Sequence, residues 1–114
     1  SAAMARAVDF CGIYCGRKED KSSVFDHFTG NLKYAPLVAA CPVNLECRLR
    51  HTLDLGAHVL VVGEVVQTHV NDNCLTDGKP DATKIDPLVF SAGTGNYQRL
   101  GEIVGKAFSM GKKQ

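Results

Sequence analysis

The residues able to do chemistry in this chain are scattered: His27, His51, His58 and His69, the cysteines Cys11, Cys15, Cys41, Cys47 and Cys74, and a glycine-rich stretch at Gly93-Thr94-Gly95. A structural zinc site asks for paired, closely spaced ligands such as C-x-x-C. The nearest approach is Cys11-x-x-x-Cys15, with no matching His or Cys pair elsewhere. An odd number of cysteines at irregular spacing does not make a disulfide framework either, so they read as reduced, buried small hydrophobes in a cytoplasmic compartment. A dinucleotide fingerprint needs a strand, G-x-G-x-x-G and then a helix, so that phosphate meets helix-terminal amides. Gly93-Thr94-Gly95 lacks the third glycine and no clear helix follows, which reads as a mobile loop. There is no P-loop, no G-x-S-x-G elbow and no H-E-x-x-H pair. His51 and His58 could approach each other across a hairpin, but two strand histidines are more often structural than catalytic.

The elements that must position these groups are mostly strands. Met4, Ala7, Val8 and Cys11 recur at helical spacing, which predicts a short amphipathic helix over 2–10. A charged loop, Gly16-Arg-Lys-Glu-Asp-Lys21, follows it, and Ser22 or Ser23 offers an N-cap to a second short helix through Val24, Phe25 and Phe28. From Leu45 to Leu55 the odd positions are apolar, His51 excepted, and the even positions are polar. Strict period-two alternation predicts a half-buried strand with Glu46, Arg48, Arg50, Thr52 and Asp54 in water. Gly56-Ala57 turns the chain into a second run, 58–70, with valines on both faces, which predicts a strand covered on both sides. The two runs form an antiparallel hairpin. Gly63 in mid-strand signals a bulge or a close backbone approach. Residues 71–86 read as a polar excursion, 87–91 as a further strand, and 97–110 as an imperfectly alternating closing segment.

With 114 residues the chain is one domain, and its net charge of +1 gives no electrostatic reason to expect nucleic acid or an anionic membrane as partner. No apolar run is long enough to span a bilayer, and no secretion signal is visible at the N-terminus. Residue types and spacing alone reach a soluble, mostly β domain.

Four ordered stretches extend the reading: Asp9-Phe-Cys-Gly-Ile with Gly16-Arg-Lys-Glu-Asp-Lys21; Pro42 through His58; Gly63-Glu-Val-Val with Leu75-Thr-Asp-Gly-Lys-Pro-Asp81; and Ile85-Asp-Pro-Leu with Arg99-Leu-Gly-Glu and Gly105-Lys-Ala-Phe-Ser109. Together they resemble the later part of the flavin reductase-like family that includes flavoredoxin. The resemblance implies a mainly β fold with short helices, an FMN-binding split barrel built from antiparallel strands and working as a homodimer. It implies an oxidoreductase that passes electrons from NAD(P)H through FMN to a flavin or a redox protein acceptor. It further implies that residues 1–114 form a single domain corresponding to the C-terminal portion of that barrel. The barrel's opening strands, which carry much of the FMN grip, would then be missing, and the chain, with no Met at position 1, would be a fragment. The expectations that follow are weak or absent FMN binding, and dimerisation or strand swapping to cover exposed edges. The alternative is a non-catalytic split-barrel fragment acting as a dimerisation or flavin-binding module.

Carried over residue by residue, the resemblance assigns Lys21 to a cationic position near the flavin phosphate, His58 to a flavin-proximal histidine, and Phe90 to an aromatic packing by the flavin. Arg17 and Lys18, beside Lys21, and Tyr97 are further candidates. Each has a bland reading beside it: Lys21 as a solvated loop charge, His58 as the end of a turn, Phe90 as plain core.

Overall fold

A computed structural model describes residues 1–113. A single 3-10 turn, Ala2–Met4, leads into α1, Ala5–Ile13. Alanine at positions 5 and 7 favours the helix, and Tyr14, in extended conformation, ends it. Then come β1 (His27–Thr29), β2 (Pro36–Val38), β3 (Val43–Asp54) and β4 (Val59–Val70). A second 3-10 turn, Asp72–Cys74, precedes β5 (Leu75–Thr76), β6 (Lys79–Pro80), α2 (Ala82–Ile85), β7 (Val89–Ser91) and β8 (Asn96–Gln98). Among the described residues the strands pair only as four separate antiparallel hairpins, β1-β2, β3-β4, β5-β6 and β7-β8. The expectation of a mainly β chain with short helices therefore holds, but these strands close no barrel.

The β3-β4 hairpin dominates the molecule. Its register runs from Val43 opposite Val70 to Asp54 opposite Val59, with two shifts. The first leaves Val66 as the extra residue on β4 and the second leaves Arg50 extra on β3. Gly63, opposite Leu49, sits beside the second shift, and a Cβ there would lie 3.1 Å from the Cys47 Cβ. The sequence signal at Gly63 thus marks both a bulge and a close approach. At the tip, Gly56 takes a positive φ of 81° that a side chain would resist, the Asp54 carboxylate accepts from the Gly56 amide, and Leu55 N–H bonds the His58 carbonyl.

Four expectations are corrected. Residues 22–28 make no helix: Asp20, not a serine, caps the turn by accepting from the Ser22 amide, and His27–Thr29 joins β2 as a strand. Nucleating a helix fixes several residues for one hydrogen bond, and this segment has a strand partner close by. The apolar face of β3 is not covered: Leu45, Leu49 and Leu53 are exposed, as are Val59, Val61, Val62 and Val65 on β4. Glu46, placed in water by the alternation, is instead fully buried. Last, the cysteines are not uniformly buried: Cys74 is, but Cys15 and Cys47 are exposed.

The buried core is small, with Leu37 and Cys74 as its apolar members. The radius of gyration is 17.2 Å and the long dimension 58 Å. A compact chain of this length would have a radius of about 13 Å. The difference matches a hairpin whose apolar faces are left open.

The polar excursion is tightly built. Asp77 (φ 51°) and Gly78 (φ 72°) form the two-residue turn between β5 and β6, where positive φ at both positions suits the strand twist. Asp81 then caps α2, accepting from the Thr83 amide and hydroxyl through Oδ1 and from the Thr76 hydroxyl through Oδ2.

Candidate functional site

Two of the residues singled out from the sequence are brought together by β7 and β8. Phe90 lies directly opposite Tyr97 in the register, and their rings are 5.3 Å apart and tilted. This is the cross-strand aromatic arrangement that stabilises a short hairpin. The intervening Gly93-Thr94-Gly95 is the turn of that hairpin, with Gly95 at φ 66° and its amide bonded to the Ser91 carbonyl. The Tyr97 hydroxyl reaches across to α1 and donates to Asp9 Oδ1 at 3.2 Å. Desolvation first, and then the charge and hydrogen bond of Asp9, push the Tyr97 phenol above its ordinary value of 10.0. Phe90 remains 58% exposed, so its ring is available to a planar ligand.

The cationic loop attaches to the same helix. Lys21 Nζ donates to the carbonyls of Cys11 (2.8 Å) and Tyr14 (2.9 Å) at the C-terminal end of α1. A cation at a helix C-terminus satisfies orphan carbonyls and opposes the negative end of the dipole. Two of the three ammonium donors are thereby engaged. Arg17 and Lys18 are exposed on the turn between, and the Phe10 and Tyr14 rings lie 4.7 Å apart, tilted, at the end of the helix. Lys21 and the Phe90–Tyr97 pair are thus both fastened to α1. His58 is not brought to them: it closes the tip of the β3-β4 hairpin and is exposed there.

The residues that sequence reasoning missed are Glu46 and His69. Glu46 Oε1 lies 2.6 Å from His69 Nε2 and accepts from the Asn31 amide at 3.1 Å, while Oε2 accepts from the Leu32 amide at 2.6 Å. The His69 hydrogen bond, then the Leu32 amide, hold this carboxyl below its ordinary 4.5. Phe28 stands edge-on to the His69 ring at 5.7 Å. The loop so fastened, with Cys47 and Arg48 of β3, lines an open groove of about 510 Å³ that Lys33, Tyr34 and Ala35 complete. A signal did exist in the sequence: Glu46 and His69 lie on the two strands of one hairpin. The strand alternation assigned Glu46 to solvent, and nothing local says that residues 30–32 fold over it.

Among the described residues no group of three or more His, Cys, Asp or Glu side chains is placed to hold a metal ion. No helix among them is long and apolar enough to cross a membrane.

Comparison with known proteins gives these features a setting. A solved flavoredoxin from Methanosarcina acetivorans superposes with a TM-score of 0.92 at 38% identity, covering 96% of this chain and 59% of that one. The flavoredoxin of Desulfovibrio vulgaris (Miyazaki F) gives 0.87 at 37%, covering 98% and 61%. Nitrilotriacetate monooxygenase component B from Bacillus cereus, 22% identical, shares the fold with a TM-score of 0.77 over 90% of this chain and 55% of its own. An uncharacterized protein of Archaeoglobus fulgidus is 41% identical over 72 residues, 61% of this chain and 40% of that protein. The chain therefore spans less than two thirds of the length of these relatives. The model of the flavin reductase like domain matches residues 1–101, and on that match the chain belongs to the flavin reductase-like family, a family of flavin-related oxidoreductases.

Proposed function

We propose that this chain is the C-terminal portion of an FMN-binding split-barrel domain. In the whole protein that domain takes reducing equivalents from NAD(P)H and passes them to a flavin or a protein acceptor. The observation that carries the reading is the pairing, on one helix, of an exposed aromatic face with a cationic loop. Phe90 is held by Tyr97, which is bonded to Asp9, and Lys21 is bonded to the helix end with Arg17 and Lys18 beside it.

The residues present fit the two ends of FMN. An isoalloxazine ring needs an apolar wall, which the open face of Phe90 offers. A phosphate needs cations and N–H donors, which Arg17, Lys18 and the remaining Lys21 proton offer. His58, exposed at the hairpin tip, would donate from a ring nitrogen to a second part of the ligand or to a second subunit. When bound, the flavin supplies the redox chemistry; these side chains bind it, orient it and exclude water from one of its faces. The exposed leucines and valines of β3 and β4 support burial of that hairpin in a homodimer or a strand-swapped oligomer.

Titration of the chain with FMN, read by quenching of flavin fluorescence, tests the reading. Saturable quenching that weakens in Phe90→Ala and in a double Arg17→Ala, Lys18→Ala variant supports it. Saturable quenching indifferent to both changes would move the site elsewhere. An absence of quenching would mean that the flavin site needs strands outside this chain, and this piece would then act as the second reading has it, a non-catalytic dimerisation module, for which the open hairpin faces are the specific observation.

A further inference from the structure

The buried Glu46 lies outside the aromatic and cationic groups assigned to the flavin, and among the described residues it is the one buried charged side chain. It is a fully buried carboxylate with four surroundings. His69 contacts it from β4, and the Asn31 and Leu32 amides donate from the loop between β1 and β2. Gly30 comes so close that no Cβ could be added there without striking the carboxylate. A buried carboxylate is tolerated only where partners replace the water it has lost. Here those partners come from two parts of the chain that no other side chain joins so closely, the long hairpin and the 30–35 loop.

We propose that Glu46 is a proton-operated latch, fastening the 30–35 loop to the β3-β4 hairpin while ionised and releasing it when protonated. Protonation removes the charge that makes the two amide hydrogen bonds strong. It also places a hydroxyl where both oxygens now only accept. The groove lined by Asn31, Leu32, Lys33, Tyr34, Ala35, Cys47 and Arg48 has the latched loop as one wall, so release of the loop opens that wall.

The groups packed on Glu46 set the direction. His69 is the titratable one on β4, with Gln67 opposite Glu46 in the register. β1 contributes only the Phe28 ring, against His69, and the loop contributes amides. Along β3, Asn44 is committed to Val38 and Cys41, and Arg48 faces the groove, as does Lys33 of the loop. Neither cation pairs with Glu46 among the described residues. Neutral imidazole can still donate through Nε2, so loss of the His69 charge does not by itself undo the contact. The folded carboxyl titrates below 4.5, so the latch is complete above that value and is lost as pH falls through the folded value.

The test is amide hydrogen exchange of the isotope-labelled full chain, corrected for intrinsic rates, followed from about pH 7 to about pH 4 and below. Protection at Asn31 and Leu32 should fall by up to about tenfold per pH unit as pH drops from 4.5 toward the folded value and level off below it, while protection of β3-β4 amides such as Val61 stays level. Glu46→Gln should make loop protection low and flat across the range. Should that variant fail to fold, His69→Gln provides the second arm, because it keeps an N–H donor and should retain the pH step. Loop protection that does not change with pH, or that falls in parallel with Val61, would overturn the latch.

Discussion

The Tyr97 hydroxyl donates to the Asp9 carboxylate at 3.2 Å, joining residues 88 positions apart and docking the β7-β8 hairpin onto α1. The phenol titrates above 10.0, with desolvation the largest single cause, followed by the charge and then the hydrogen bond of Asp9. Since the folded pKa is raised, docking is complete below the unfolded value near 10.0 and is lost as pH rises through the folded one. Asp9→Asn should lower the phenolate absorbance midpoint of Tyr97 only part of the way, because desolvation remains. Full return to 10.0 would show that the Asp9 charge, not burial, dominates. Tyr97→Phe should abolish the alkaline step in the hairpin's amide protection.

Gly30 is required for space rather than for backbone freedom, since it does not take a positive φ and yet its missing Cβ is where the Glu46 carboxylate sits. Gly30→Ala should therefore destabilise the chain by about 1–3 kcal/mol, in the range of overpacking. That outweighs the roughly 0.4–1 kcal/mol that a Gly→Ala change gains by restricting the unfolded chain. Urea unfolding measures it, and a double-mutant cycle assigns it: in a Glu46→Ala background the cost should vanish or reverse.

How far this was legible in the sequence differs between neighbouring residues. The β3-β4 hairpin was readable because alternation over eleven positions, 45 to 55, and a Gly56 turn are local signals. Gly63 was readable for the same reason: a glycine inside a run of valines weakens the strand, so it stands where a bulge or a close backbone approach requires it. The burial of Glu46 was not, because it depends on amides fourteen and fifteen residues earlier in the chain folding over a strand position whose parity says solvent. The pairing of Phe90 with Tyr97 and the helix cap by Lys21 are likewise tertiary facts. The resemblance pointed to those residues, but only the folded chain shows what they touch.

Lys21 has a structural duty whatever else it does. Its two bonds to α1 carbonyls place a cation at the helix C-terminus, an interaction worth about 1 kcal/mol with its hydrogen bonds. Lys21→Met, which keeps the stem and removes the charge, should lower stability by about that amount and fray the last turn of α1. Circular dichroism and denaturant unfolding read both effects. A variant that weakens FMN quenching without either change would instead place the ammonium on the ligand and not on the helix.

Asp81 carries a strongly depressed carboxyl. The Thr83 hydroxyl first, then the Thr76 hydroxyl and the Thr83 amide, lower its carboxyl from 3.8 to about 2. A depressed folded pKa means that the cap on α2 is complete above the unfolded value and is lost as pH falls from 3.8 toward about 2. Carboxyl-carbon chemical shifts should show the Asp81 midpoint near the lower figure. Thr76→Val removes one hydroxyl and leaves the Thr83 pair in place, so the midpoint should rise without reaching 3.8. Thr83→Val removes the larger cause and should raise it further. If the two variants move it equally, the Thr76 bond bridging β5 to the helix start matters as much as the cap itself, and the β5-β6 turn and α2 should then unfold as one unit in acid.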